Sequence, residues 1–199
     1  MNPLRQEDIW DPDLEERYRV EIQRELFRLV VWLHANAKLA SMDQDLIKGF
    51  HRQAFQVAFP NHAGTVRGQA APYDIQFGPF RGSPHAECEM EFAVLSDEFL
   101  TYQGSLDQLP EEQVREQALR VACLHHARFI KMHPFLDGNG RTGRICVNYF
   151  AARYGLKFIE VERPKQRDYE ATLAIFIREG RISPLIDFLR AFLCPPGAA

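Results

Sequence analysis

From about Leu14 to Leu39, apolar residues recur at helical spacing: Leu14, Tyr18, Ile22, Leu26, Leu29, Val30 and Leu33, with charges on the other face. The spacing predicts a long amphipathic helix. "DLIKGFHRQAFQVAF" predicts a second, carrying Ile47, Phe50, Phe55 and Phe59 and stopped by Pro60-Asn61. The texture then changes. "HAGTVRGQAAPYDIQFGPFRGSP" is rich in Gly and Pro, alternates briefly at "YDIQF" and has a turn signal at Gly78-Pro79, so a short hairpin or extended flap is expected. Ser83-Pro84 reads as an N-cap followed by Pro at N1, opening a helix through about Leu100. The next helix, about Glu111 to Met132, has Val114, Ala118, Val121, Ala122, His125, Phe129 and Met132 on one stripe. "RICVNYFAARYG" predicts a helix with Gly155 past its end, and "LKFIEVE" an extended segment. "RDYEATLAIFIREG" and "SPLIDFLRAFL" close the chain as helices. There is no internal repeat and no linker long enough to divide the chain. The expected architecture is one mainly α domain with a short β-hairpin flap. Residues 1–42 form an N-terminal helical extension packed on a body spanning 43–199, with the flap at about 72–84.

Composition narrows the function classes. At 199 residues the chain can bury a core without staples. It is 46% hydrophobic and 26% charged, which excludes an intrinsically disordered chain. A net charge of −3 argues against a general nucleic-acid binder. The most apolar stretch, "LFRLVVWLHANAKLA", is interrupted by Arg28, His34 and Lys38 and does not suit a bilayer. Cys88, Cys123, Cys146 and Cys194 are scattered with no C-x-x-C pair, and "MNPLRQEDIWDPDLEE" has no apolar signal core. A cytoplasmic location with reduced thiols is expected.

The chemistry concentrates in "HPFLDGNGRTGR", His133 to Arg144. Gly138, Gly140 and Gly143 spell a dinucleotide-type G-x-G-x-x-G, and Glu160 lies at a separation suited to a ribose contact. However, that fold needs a buried strand before the glycines, and the preceding "VREQALRVACLHHARFIKM" is helical in period. A P-loop is excluded because no G-x-x-x-x-G-K-(S/T) exists. A helix–turn–helix corner would account for the glycines but not for Asp137, Asn139, Arg141 and Arg144 beside them. A glycine-rich turn entering a helix presents free amides and a positive dipole end, an anion site. Arg141 and Arg144, three apart, can grip successive phosphates. Asp137 suits Mg²⁺, Asn139 a phosphoryl oxygen, and His133 proton transfer from a hydroxyl.

These residues resemble the Fic-domain family, whose signature H-P-F-x-(D/E)-G-N-G-R-x-x-R is met at every specified position. "GFHRQAF…HAGTVR" is similar to the family's upstream helix and A-G-x-x-R segment, and "YDIQFGPFRG" to its target-docking flap. "DYEATLAIFIREGRISPLIDFL" is similar to its closing helices, so the likeness runs over about residues 43 to 193. The resemblance implies a protein adenylyltransferase: AMP passes from ATP to a Tyr, Ser or Thr hydroxyl of a target protein. His133 would be the general base and Asp137 the Mg²⁺ ligand. Asn139 and the amides near Gly138 and Gly140 would hold the α-phosphate, while Arg141 and Arg144 take the β- and γ-phosphates. Phe135 would anchor the loop in the core. The alternatives are phosphotransfer, as in a kinase-like toxin of the same fold whose loop has lysine at the position of Gly140, and a nucleotide-binding module without transferase activity.

Other residues carry plainer readings. His125 lies on the apolar stripe as a core histidine, and His34 and His51 are expected as surface or packing residues. A metal trio of His125, His126 and His133 is less suited to that stripe. Tyr169 is the candidate for the adenine pocket. Restraint in this family commonly uses a helix with (S/T)-x-x-x-E-(G/N), and no such string occurs in the N-terminal helix or after the last helix. The expectation is constitutive activity, or restraint in trans by a small helical antitoxin, with the chain as the toxin of the pair.

Overall fold

The computed structural model describes residues 4–5, 12–160 and 166–194. Its helices are α1 (Pro12–Arg17), α2 (Arg19–Asn36), α3 (Gln44–Phe55), α4 (His85–Leu106), α5 (Glu111–Met132), α6 (Asn139–Tyr154), α7 (Gln166–Glu179) and α8 (Ser183–Leu193). Three short strands complete it: β1 (Leu4–Arg5), β2 (Ile75–Phe77) and β3 (Phe80–Arg81). The expected mainly α fold with a short flap is what is found. The antiparallel hairpin β2–β3 turns at Gly78, whose φ is 54°. The unexpected part is β1, which pairs in parallel with β2, Leu4 opposite Ile75 and Arg5 opposite Gln76.

Helices α5 and α6 are the centre of the molecule. Ala118, Leu119, Ala122, Cys123, Ala127 and Phe129 of α5 are buried with Ile145, Cys146, Tyr149 and Phe150 of α6. Gly143 permits their close approach, because a Cβ there would stand 2.7 Å from His126 Nδ1. Around this pair pack α2, α3, α4, α7 and α8. Asp43 caps α3 by accepting from the Leu46 amide at 2.8 Å. Arg153 of α6 donates to the carbonyls of Ala37 and Lys38, tying down the end of α2.

Several boundaries differ from expectation, each for a local reason. The predicted helix from Leu14 to Leu39 is interrupted at Tyr18 (φ −100°, ψ 15°), and Glu15 of the short α1 pairs with Arg141 of the signature loop. Helix α4 runs on to Leu106 because Phe99, Gln103 and Leu106 continue its buried face. Ser83 does not cap it; its hydroxyl donates to Glu91. Segment 156–160 of the expected extended stretch makes no ladder. Instead the Asn148 side chain serves the main chain of Ile159, accepting from its N–H and donating to its C=O. The rest of that stretch, Val161 and Glu162, lies outside the described residues.

Candidate active site

The signature loop joins the two central helices. Helix α5 ends at His133, which adopts a left-handed conformation (φ 55°, ψ 61°) and is the only non-glycine with positive φ among the described residues. Such a conformation costs of order 1 kcal/mol and persists only when its surroundings enforce it. Arg67 enforces it. Fully buried, its guanidinium donates to four main-chain carbonyls: His133 at 2.8 Å, Met132 at 2.9 Å, Ser83 at 2.9 Å and Tyr73 at 2.9 Å. One side chain thus binds the end of α5 to both feet of the flap.

The His133 ring is oriented for proton acceptance. Nδ1 lies 3.3 Å from the Ile130 carbonyl, which can only accept, so the proton sits on Nδ1 and the Nε2 lone pair is left open. Nε2 is buried without a partner. Phe77 of β2 covers the ring, stacked at 4.1 Å and 9°. Burial under that ring lowers the imidazole to about 3, a shift the Ile130 carbonyl opposes and Arg67 reinforces. His133 is therefore neutral at physiological pH.

Past Phe135, the loop is locked from beneath. His51, expected as a surface or packing residue, is buried and structural. The Gly64 N–H donates to its Nδ1 at 2.8 Å, so Nε2 carries the hydrogen and donates to the Asp137 carbonyl at 2.9 Å. Its ring stacks on Phe135 at 3.9 Å, and burial lowers its pKa to about 3. Phe135 is fully buried, as expected for a core anchor. Gly138 has φ 71°, and a Cβ there would meet Phe55 at 2.4 Å, so this position admits glycine alone.

Asn139, expected as a phosphate ligand, has its side chain engaged with the main chain of Phe135. Its Oδ1 accepts from the Phe135 N–H and its Nδ2 donates to the Phe135 C=O, both at 2.9 Å. The side chain braces the loop and is buried. Helix α6 begins at Asn139, with Gly138 as N-cap and no side chain capping it. The amides of its first turn therefore point into the cavity as a nest for an anion. Arg141 lies in that turn and Arg144 in the next.

Arg141 lies over the Phe55 ring, 4.6 Å from its centroid, and pairs with Glu15 of α1 at 2.6 Å. Arg144 is almost fully buried, its guanidinium 5.8 Å from the centroid of Tyr169. Tyr169 in turn is hydrogen-bonded to His126. Asp137 accepts from the Gly138 amide at 2.5 Å and is hydrogen-bonded to Glu15. Burial pushes its carboxyl well above the usual carboxylate range, Glu15 adds to the shift, and Arg141 opposes it. His125 is a core residue, as read, edge-on to Phe99 at 4.2 Å with neither ring nitrogen partnered. His34 is exposed and stacked on Phe158. No cluster of three metal-ligating side chains exists among the described residues. His133, Asp137, Gly138, Asn139, Gly140, Arg141 and Arg144 all line one cavity of about 990 Å³, with the flap tip as one wall and α7 as the other.

Two residues central to this site were not singled out by sequence reasoning. Glu15 lay in an acidic stretch with no motif. Arg67 was quoted only as the end of A-G-x-x-R, and its isolation among apolar residues and glycines was the signal available.

The site brings a histidine, a carboxylate and two arginines together around a helix N-terminus, an arrangement chemically suited to an anion. The chain belongs to the Fic/DOC family, whose model matches residues 41–151. Proteins named protein adenylyltransferase Fic match over short stretches. The one from Culex quinquefasciatus is 30% identical over 79 residues, 40% of this chain and 16% of the relative. The one from Drosophila grimshawi is 34% identical over 71 residues, 36% of this chain and 14% of the relative. The matched stretch is thus about a seventh of those relatives' length. Solved structures share the fold. The N-terminal Fic domain of a cell filamentation protein from Bartonella quintana with bound ADP superposes with a TM-score of 0.70 at 19% identity, covering 91% of this chain and 85% of that one. The BepC protein from Bartonella tribocorum with bound AMPPNP gives 0.69 at 15% identity, covering 91% and 86%. A Fic-domain signaling protein from Bacteroides thetaiotaomicron gives 0.69 at 21%, covering 87% and 68%.

Proposed function

We propose that the chain is a protein adenylyltransferase that moves AMP from ATP to a hydroxyl side chain of a target protein. The carrying observation is the convergence on one cavity of an imidazole with an unpartnered Nε2 and a helix N-terminus flanked by two arginines. In the proposed step the target hydroxyl gives its proton to His133 Nε2 as its oxygen bonds to the α-phosphorus, and the bond to pyrophosphate breaks. The α6 amides stabilise charge developing on the α-phosphate, and Arg141 and Arg144 draw off the pyrophosphate. Asp137 is a hard oxygen donor facing the cavity beside a second carboxylate, Glu15, which fits a small divalent cation such as Mg²⁺. Bound there with ATP, that ion would neutralise phosphate charge. Gly140, where the kinase-like relative has lysine, favours AMP transfer over phosphotransfer. Two further expectations belong to this reading: docking of the target along the flap, and action in the cytoplasm.

Whether the chain is a toxin held by an antitoxin is tested by expressing it beside its His133→Ala form. Toxicity of the parent alone supports that role, and equal harmlessness contradicts it. The reaction itself is tested by intact-mass spectrometry of host proteins incubated with the chain and ATP. A nucleotide-sized increment supports the proposal. A phosphate-sized increment, or none, overturns it.

A further inference from the structure

Gly140 and Gly143 have no positive φ, so backbone conformation does not require glycine at either position. Each instead makes room for a neighbouring side chain. A Cβ on Gly143 would stand 2.7 Å from His126 Nδ1, so this glycine lets the imidazole lie against α6. A Cβ on Gly140 would stand 3.3 Å from Nη1 of Arg144, so the Arg144 guanidinium lies back along α6 against the first turn. The same guanidinium lies over the ring of Tyr169 in α7, 5.8 Å from its centroid. The Tyr169 hydroxyl is hydrogen-bonded to His126 Nε2. All three side chains are buried, His126 completely. Burial lowers the His126 imidazole to about 3; Arg144 reinforces the shift and the Gly143 main chain opposes it. The imidazole is therefore neutral and puts no second charge beside the guanidinium.

We infer that His126 and Tyr169 are positioning residues for Arg144: His126 anchors the Tyr169 hydroxyl, and the anchored ring holds the guanidinium against the Gly140 turn of α6. This rests on the reading of Arg144 as a contact for the β- and γ-phosphates. Tyr169, expected in the adenine pocket, then acts on the opposite end of the nucleotide. An arginine has many rotamers, and one already held in place needs little ordering when its ligand arrives. Its planar fork also keeps a fixed aim at the phosphate oxygens. Freeing the ring from His126 therefore weakens the hold on the distal phosphates and leaves the adenosine and α-phosphate contacts as they were. AMP has no distal phosphates, so it separates this role from a contact with the base.

Calorimetry on the whole chain, with ATP and AMP as probes, tests this without any need for transferase activity. Tyr169→Phe keeps the ring and deletes the hydroxyl; it should weaken ATP by about tenfold and leave AMP within about twofold. His126→Leu should give the same split. His126→Gln, whose amide can reach the place of Nε2, should bring ATP affinity back to within about threefold of the parent. In an Arg144→Met background, Tyr169→Phe should have no further effect, because its contribution passes through the guanidinium. Equal losses of ATP and AMP in Tyr169→Phe, or no loss of either, would overturn the inference. So would a loss of ATP affinity that persists without Arg144. A His126→Gln form as weak as His126→Leu would remove His126 from the role, and if the leucine form does not fold, Tyr169→Phe decides alone. An Arg144→Met chain that binds ATP like the parent would overturn the phosphate reading beneath the inference. If every split is found but no host protein acquires AMP, the positioning role stands and the proposed transfer fails.

Discussion

The two sides of the cavity are built on different principles. On the α5–α6 side every bend of the chain is fixed by buried bonds. Arg67 spends its guanidinium on four carbonyls, His51 bridges Gly64 and Asp137, and Asn139 closes a ring with Phe135. On the other side, beyond the Arg67 bonds at its feet, the flap meets the site through the Phe77 ring stacked on His133, and α1 meets it through the Glu15–Arg141 ion pair. The contrast sets the loop that carries His133 on a rigid frame of buried bonds and the flap and α1 on fewer contacts.

The largest effect expected from breaking this contrast is on the rigid side, at the reacting group. His133→Ala should lower transfer by roughly 10² to 10⁴ while leaving ATP affinity near the parent value, since loss of a general base costs that much. Single-turnover rates with calorimetry in parallel check both halves. A near-normal rate would remove His133 from the chemistry.

Next is the frame. Arg67→Met leaves buried carbonyls of His133, Met132, Ser83 and Tyr73 without their shared donor, and should cost at least about 3 kcal/mol. A drop in the urea midpoint of unfolding reads it out. An unshifted midpoint would show that His133 holds its left-handed conformation without this support.

Acid should expose the frame's dependence on neutral imidazoles. His51, His125, His126 and His133 are each lowered from 6.5 to about 3, in every case first by burial. The unfolded chain then binds more protons than the folded one between pH 6.5 and about 3. Stability present above pH 6.5 is lost on acidification, at up to about 1.4 kcal/mol per pH unit for each imidazole. Asp137, with its carboxyl raised, works in the opposite direction, as one group against four. Unfolding midpoints measured from pH 7 to 4 should fall steeply, and a flat profile would mean that the imidazoles are solvated.

Asp137→Ala should weaken ATP binding by about tenfold in the presence of Mg²⁺ and by less in its absence, a split that calorimetry resolves. Equal affinity with and without Mg²⁺ in the parent chain would remove the metal role. The smallest effect is in the core beside the frame. His125→Leu deletes two unpartnered ring nitrogens, so it should be neutral or stabilising by about 1 kcal/mol, and should reduce the acid sensitivity. A loss of several kcal/mol would reveal a hydrogen bond at that ring.

The rigid side was largely legible in the sequence. The α5 stripe located its helix from Glu111 to Met132, and the glycines with their polar neighbours marked the loop. What stayed hidden were roles fixed by partners distant in the chain. Asn139 reads equally well as a phosphate donor or as a brace, and only the position of the Phe135 backbone decides between them. His51 stands 86 residues from the carbonyl that it holds. Helical period placed Glu15 on a helix, but its pairing with Arg141, 126 residues away in sequence, leaves no mark on that period. Strand β1 is too short to produce alternation.

The most direct measurement follows two phosphorus atoms at once. The chain is incubated with host proteins and ATP carrying one isotope at the α-phosphorus and another at the γ-phosphorus. Label from the α-position should appear on protein, with the γ-label released in pyrophosphate and no transfer by the His133→Ala form. Protein carrying the γ-label without the α-label, or neither label, would contradict AMP transfer.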